Sequence, residues 1–148
     1  CSFVKKNCDY KIFNNFDNNE DDNVLLKSSI KRLINYKKYM NNQEIDKALK
    51  EVFLLLNETN IYVDKQAPWN LKKTNIERMK TVLSVSIEII RRATILLYPI
   101  MPKSCTNIFS LLNINNKDIN ISNYESISSK PLIINDPFPI FPRIEIND

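Results

Sequence analysis

Apolar residues recur at helical spacing through most of the chain. The clearest helix is predicted for residues 43–66, where a single face repeats at i, i+3, i+4 and i+7. The positions of that face are Ile45, Ala48, Leu49, Val52, Leu56, Thr59, Asn60 and Val63, and Phe53, Leu54 and Leu55 widen it. Residues 21–40 form a weaker pattern, which opens with two acids and places Val24 or Leu25, Ser28, Leu33 and Tyr36 at near-helical spacing. This pattern predicts a preceding, antiparallel helix.

A further helix is predicted from residue 74 to residue 97, and it carries two apolar stripes. Thr74 and Glu77 have the S/T-x-x-E spacing of a capping box, which marks its start. Because a helix that is apolar on two sides must pack on two sides, we expect this helix to lie at the centre of the fold. Pro99 ends it, and Pro102 suits the first turn of a short last helix, whose apolar residues are Ile108, Leu111 and Leu112.

The two ends of the chain have different patterns. Residues 1–7 resemble the last turns of a helix with no cap before them, which predicts that the chain starts inside a helix. Residues 115–130 are polar with scattered isoleucines, and prolines at 131, 137, 139 and 142 forbid a helix and favour an extended arm. The predicted fold is an all-α antiparallel helix bundle over residues 1–113, with its first helix truncated. An irregular linker and an extended Pro-rich C-terminal arm follow over residues 114–148.

Composition narrows the possible functions. The 148 residues include no histidine and no glycine. The usual His-dependent nucleophile arrangements are therefore excluded, and so are the glycine-rich loops that hold nucleotide phosphates. We expect no catalytic residue, no cofactor site and no metal site in this chain. Three cysteines without metal-ligand spacing, no apolar run of membrane-spanning length and no signal peptide predict a cytoplasmic, soluble protein with no membrane partner.

Three other groups of residues have simpler interpretations than a reactive site. The acids Asp21 and Asp22 precede a helical pattern, where their negative charges interact favourably with the positive end of the helix dipole. Arg91 and Arg92 could form a basic patch, but at a net charge of +4 a solvated face is the simpler interpretation. Cys105 has no base beside it in the sequence and is expected to be a small buried apolar residue.

Trp69, the only tryptophan, lies between two helical patterns and directly after Pro68. One interpretation is that the ring closes the end of the bundle as core packing. The other is an exposed aromatic platform, held by the proline, that stacks on a nucleic-acid base while Lys65, Lys72 and Lys73 attract phosphates. The pattern alone leaves both interpretations open. They differ in the exposure of the ring.

The stretch "TNIYVDKQAPWNLKKTNIERMKTVLSVSIEIIRRATILLYPIMP", residues 59–102, resembles the anticodon-binding helical domain of methionyl-tRNA synthetases. The shared pattern is N-x-Y-[IV]-D-x-x-x-P-W, followed by a basic linker, a capped helix and a closing P-x-M-P. The segment "PIFPRIE", residues 139–145, is similar to the segment that closes this region in bacterial-type members. The resemblance covers nearly the whole chain.

The resemblance implies roles for individual residues. In the family, the tryptophan matching Trp69 stacks on the first base of the CAU anticodon, and the proline matching Pro68 shapes that corner. The residues matching Asn60 and Asp64 belong to the same corner. Two further readers, an Asn and an Arg, lie in the family upstream of the segment that matches residue 1, and this chain does not include them.

The resemblance also implies partners. The family's HIGH and KMSKS signatures are absent from this chain. The chain is therefore expected to be the RNA-binding part of a methionine–tRNA ligase, with tRNA(Met) and the ligase's catalytic domain as partners, and with ATP and Mg used by that catalytic domain. The alternative is a helical protein-interaction domain, with no RNA role, that binds through its Pro-rich arm or a helix face.

Overall fold

The fold is a helix bundle, as the sequence predicts. The structure is a computed structural model that describes residues 1–12, 19–115, 119–127 and 131–141. Its helices are α1 (Ser2–Cys8), α2 (Glu20–Asn41), α3 (Ile45–Gln66), α4 (Pro68–Thr74), α5 (Ile76–Leu97) and α6 (Pro102–Leu111). The described residues also contain one small sheet, which consists of the two-residue strands β1 (Lys11–Ile12) and β2 (Leu132–Ile133). The all-α prediction is confirmed.

The long helix α5 packs against α2, α3, α4 and α6, so its predicted central position is confirmed. Most of this helix is buried, 14 of its 22 residues, but one of its two apolar stripes begins with Ile76, which is 53% exposed. One apolar cluster joins α5 to α2, α3 and α6 around Val52, Leu96 and Phe109. A second joins α5 to the start of α2 and the end of α3 around Leu25, Leu55 and Val85. The second cluster lies beneath the segment that carries Trp69.

The buried face of α3 differs from the predicted one. The residues that it buries are Ala48, Glu51, Val52, Leu55, Thr59 and Tyr62. Ile45 and Phe53 were assigned to the apolar face, but they are 52% and 61% exposed. The buried face is rotated because the Glu51 carboxylate and the Tyr62 hydroxyl hydrogen-bond to side chains of α2. These bonds allow both residues to be buried, while the more apolar Ile45 and Phe53 stay exposed.

The segment between α3 and α5 was expected to be a loop, but it contains the short helix α4. Pro68 occupies its first turn, where the missing N–H costs no hydrogen bond. The predicted capping box is also wrong. The N-cap of α5 is Asn75, whose side chain accepts a hydrogen bond from the Arg78 N–H, whereas the Thr74 hydroxyl donates to the Asn70 carbonyl of α4.

This correction predicts unequal effects for two neighbouring substitutions. Asn75→Ala removes the side-chain cap of α5 and should cost ~1 kcal/mol of unfolding free energy. Thr74→Ala removes no cap and should change that free energy by less than about 0.5 kcal/mol. Urea unfolding of both variants measures the difference. A larger loss of unfolding free energy for Thr74→Ala than for Asn75→Ala would show that Thr74 caps α5, as the capping-box prediction has it.

Residues after α6 return to the bundle. β2 pairs antiparallel with β1, with Lys11 opposite Ile133 and Ile12 opposite Leu132. Tyr124, which follows a short 3-10 helix at Ile121–Asn123, is 0% exposed and packs into the cluster around Phe109. The division at residue 113 stays a prediction. The part of the Pro-rich arm beyond residue 141 lies outside the described residues.

No helix among the described segments is both long enough and apolar enough to span a membrane.

Candidate nucleic-acid interface

The chain turns sharply at residues 67–69, which we call the corner. Ala67 ends α3 and precedes α4 with φ 45° and ψ 62°, a left-handed conformation that is uncommon for a residue with a Cβ. Its carbonyl accepts hydrogen bonds from the N–H groups of Asn70 and Leu71, which closes the first turn of α4. Pro68 is buried and fixes the next φ angle. The corner is therefore held by its own backbone on both sides.

Trp69 projects from this corner with 48% of its surface exposed. The residue below it, Leu71, packs against the apolar cluster around Leu55 and Val85, so Leu71 and not Trp69 covers that end of the core. Among the described residues, no aromatic ring or cation stacks on the Trp69 indole. The interpretation of the ring as a core plug requires burial, and this exposure does not fit it.

The three lysines near Trp69 have different surroundings. Lys65 donates to Asp21 Oδ1 over 2.7 Å, so its charge is already paired. Lys72 and Lys73, in the last turn of α4, are exposed and make no ion pair with any residue of the described ranges. Two cations thus lie within about one helical turn of Trp69 without an acidic partner in the segments that the structure describes.

Asn60 and Asp64 are exposed on α3, one turn apart. Residues four apart lie on one face of a helix, so these two side chains share one exposed face of α3. No hydrogen bond between described residues links either of them to Trp69.

A buried carboxylate lies under the corner. Asp22, in the first turn of α2, is 0% exposed. Its two oxygens accept from both terminal nitrogens of Arg78, at 2.6 and 2.7 Å, and Oδ1 also accepts from the Tyr62 hydroxyl at 2.7 Å. This is the two-pronged geometry in which arginine binds carboxylates most strongly. Burial, and then the hydrogen bond to Asp22, raise the pKa of Tyr62, so this hydroxyl stays protonated as a donor.

The same arginine holds the last residue of α3. Arg78 Nη2 donates to Gln66 Oε1 over 2.7 Å, and the Gln66 amide in turn donates to Asp21 Oδ2 over 2.8 Å. The hydrogen bond from Lys65 is the main cause of the lowered pKa of Asp21. We call Asp21, Asp22, Tyr62, Lys65, Gln66 and Arg78 the corner network.

Sequence reasoning missed most of this network. The acids at 21 and 22 do begin α2 behind the N-cap Asn19, but Asp22 is also a buried ion-pair partner. A weak signal was available, since Arg78 lies in the first turn of α5, where the helix dipole disfavours a cation. An arginine at that place indicates a partner elsewhere.

The remaining candidates are structural. Arg91 binds Glu88 and the carbonyls of Asn123 and Tyr124, and Arg92 is buried against Glu88 and Ser29, so these arginines form neither a basic patch nor a solvated face. Cys105 is buried as predicted, and burial raises the pKa of its thiol. In the parts of the chain that the structure describes, no group of three His, Cys, Asp or Glu residues could hold a metal ion.

Comparison with known proteins places this geometry in a family. The family model of the anticodon binding domain of methionyl tRNA ligase matches residues 14–132. A methionine–tRNA ligase from Rickettsia bellii is 35% identical over an alignment of 150 positions that covers 97% of this chain and 29% of that protein. One from Rhizobium meliloti is 32% identical over an alignment of 146 positions that covers 96% of this chain and 28% of that protein.

Solved structures agree with this match. The free state of Mycobacterium tuberculosis methionyl-tRNA synthetase superposes with a TM-score of 0.90 at 28% identity, over 99% of this chain and 30% of that one. Its complex with methionyl-adenylate superposes with a TM-score of 0.89 at 29% identity, over 96% of this chain and 29% of that one. The chain spans less than a third of the length of these relatives.

Proposed function

Because the chain belongs to the family of anticodon-binding domains of methionyl-tRNA ligase, we propose that it binds the anticodon loop of tRNA(Met) and stacks the ring of Trp69 on the first base of the CAU anticodon. The observation that carries this proposal is the exposure of the chain's single tryptophan, at 48%, on a corner fixed by Pro68 and by the backbone of α4.

A rigid, exposed indole suits RNA recognition on energetic grounds. Anticodon bases are unstacked when a protein reads them, and an aromatic face recovers ~1 to 3 kcal/mol per stacked base. A ring that had to be ordered on binding would lose part of this gain to conformational entropy. The backbone hydrogen bonds of the corner and the fixed φ of Pro68 hold the backbone that carries the ring before the RNA arrives.

The proposed roles of the neighbouring residues follow from their charges. Lys72 and Lys73 are placed to attract loop phosphates, since no protein acid in the described ranges neutralises them. Lys65 contributes less, because it is paired with Asp21. We assign Asn60 and Asp64 to the rim of the same surface, where their polar side chains can meet bases of the loop.

In the longer protein, this domain would select tRNA(Met) for a catalytic domain that attaches methionine using ATP and Mg. This chain has no histidine and no glycine, so we assign the nucleotide chemistry to that catalytic domain. We infer a cytoplasmic location from the relatives, which are methionine–tRNA ligases. The alternative of a protein-interaction domain without an RNA role has no support from the comparisons.

The proposal is tested by titrating the chain with two anticodon stem-loops that differ in one base. One carries CAU and the other carries an abasic residue in place of the first base. We expect the CAU loop to bind more tightly, by about 5- to 150-fold, which corresponds to the stacking and contact energy of one base. Equal affinities for the two loops would contradict recognition of the first anticodon base by this chain.

A further inference from the structure

The ion pair between Asp22 and Arg78 connects three helix ends to the corner. Asp22 lies in the first turn of α2, Arg78 in the first turn of α5, and Gln66 is the last residue of α3. Arg78 bonds to both other side chains, and Gln66 is followed directly by Ala67 and Pro68. A shift of this arginine would therefore be transmitted to the backbone that carries Trp69.

The corner needs such support because Ala67 is in a costly conformation. A left-handed alanine persists only where the surrounding structure leaves it no alternative. The Gln66 amide is held on both sides, by Arg78 at its oxygen and by Asp21 at its nitrogen, so the residue before Ala67 cannot rotate freely. Weakening of these bonds would let the corner relax toward an ordinary backbone conformation.

We propose that Asp22 and Arg78 form a positioning pair that sets the direction of the Trp69 ring through Gln66 and Ala67, without contacting RNA. Both terminal nitrogens of Arg78 are occupied by protein oxygens, and its side chain is only 13% exposed, so it is poorly placed to bind a phosphate. The consequence for RNA affinity rests on the proposed function. The consequence for the ring itself does not.

The motion of the ring can be measured without RNA, because Trp69 is the only tryptophan of the chain. Arg78→Lys keeps the charge but loses the two-pronged geometry and the bond to Gln66. We expect this variant to show lower tryptophan fluorescence anisotropy and stronger quenching by iodide than the unchanged chain. Gln66→Met leaves the Asp22–Arg78 pair intact and removes the hydrogen bonds of Gln66 to Arg78 and to Asp21. It should change both signals in the same direction, even if Arg78→Lys does not fold.

The matched control is Arg92→Lys. Arg92 is buried and, like Arg78, donates to a carboxylate, that of Glu88, and it also donates to the Ser29 hydroxyl. It lies about 21 Å from Arg78 along α5. We expect Arg92→Lys to lose about as much unfolding free energy in urea as Arg78→Lys does. Its tryptophan anisotropy and iodide quenching should match those of the unchanged chain. Folded Arg78→Lys and Gln66→Met variants with rings as immobile as in the unchanged chain would overturn the proposal.

RNA affinity gives the second test. With the CAU stem-loop, Arg78→Lys should bind about three- to tenfold more weakly, which is a part of the whole stacking contribution. In a Trp69→Ala background the same substitution should cost less than about twofold, since a residue that acts through the ring has no effect once the ring is gone. Equal losses in both backgrounds would mean that Arg78 contacts RNA itself, and would overturn the positioning role. If Trp69→Ala alone leaves affinity unchanged, the proposed function fails, and the fluorescence result still decides the role of the pair.

Discussion

Trp69→Ala is expected to weaken binding of a CAU anticodon stem-loop by ~1 to 3 kcal/mol, or about 5- to 150-fold. The loss corresponds to one base that no longer stacks on the indole. The unfolding free energy should change by less than about 1 kcal/mol, because the ring is 48% exposed and Leu71, not Trp69, packs against the core below. Fluorescence-independent methods, such as calorimetric titration and urea unfolding followed by circular dichroism, measure the two quantities.

Lys72→Ala and Lys73→Ala supply the control. Each should weaken binding to any anticodon loop and lower the salt dependence of affinity by about one phosphate contact, whereas Trp69→Ala should leave the salt dependence nearly unchanged. A Trp69→Ala chain that unfolds early in urea, yet binds the loop normally when folded, would show that the ring is core packing after all.

Tyr124→Ala is expected to lower the unfolding free energy by ~3 to 5 kcal/mol, because a fully buried aromatic side chain leaves a cavity that its neighbours fill only in part. The Tyr124 ring packs with Phe109 and Leu96, and the Arg92 guanidinium lies over it, 5.5 Å from its centre. The substitution is outside the helices, so a two-state unfolding curve shifted by this amount would show that the segment after α6 unfolds together with the bundle.

Tyr124→Phe separates the hydroxyl from the ring. The hydroxyl donates to the Ser29 carbonyl over 2.9 Å, and burial raises its pKa to about 12. Its removal should cost only about 0.5 to 1.5 kcal/mol, the net contribution of one hydrogen bond. If Tyr124→Ala costs no more than Tyr124→Phe, the ring does not pack as described, and the linker is independent of the core.

Periodicity predicted the long helices because each of them buries a continuous apolar face. It placed the N-cap of α5 one residue too early, because Thr74 and Asn75 can both cap a helix and only their surroundings distinguish them. Asn75 is selected because α4 extends through Thr74 and uses that residue as its last turn. The presence of α4 itself depends on Ala67 accepting a left-handed conformation, which no local pattern in the sequence indicates.

The sequence could suggest the local part of the candidate site but not the part that packing assembles. Pro68, Trp69, Lys72 and Lys73 are neighbours along the chain, so a short pattern contains them. Asp22 and Arg78 are 56 residues apart, and an aspartate is buried only where its partners surround it. The role of Asp22 therefore depends on the packing of α2, α3 and α5, and no short sequence pattern around Asp22 predicts it.

The pairing of β1 with β2 has a consequence for the order in which the molecule folds. The contact between Lys5 and Asp136 beside it joins residues 131 positions apart, whereas α2 and α3 are adjacent helices joined by a short turn. Closing so long a loop is entropically unfavourable, and a ladder of two residue pairs contributes little stabilising free energy to offset that cost. The α2–α3 hairpin can therefore assemble early, and this ladder is expected to close last, after the helices have brought its two halves together.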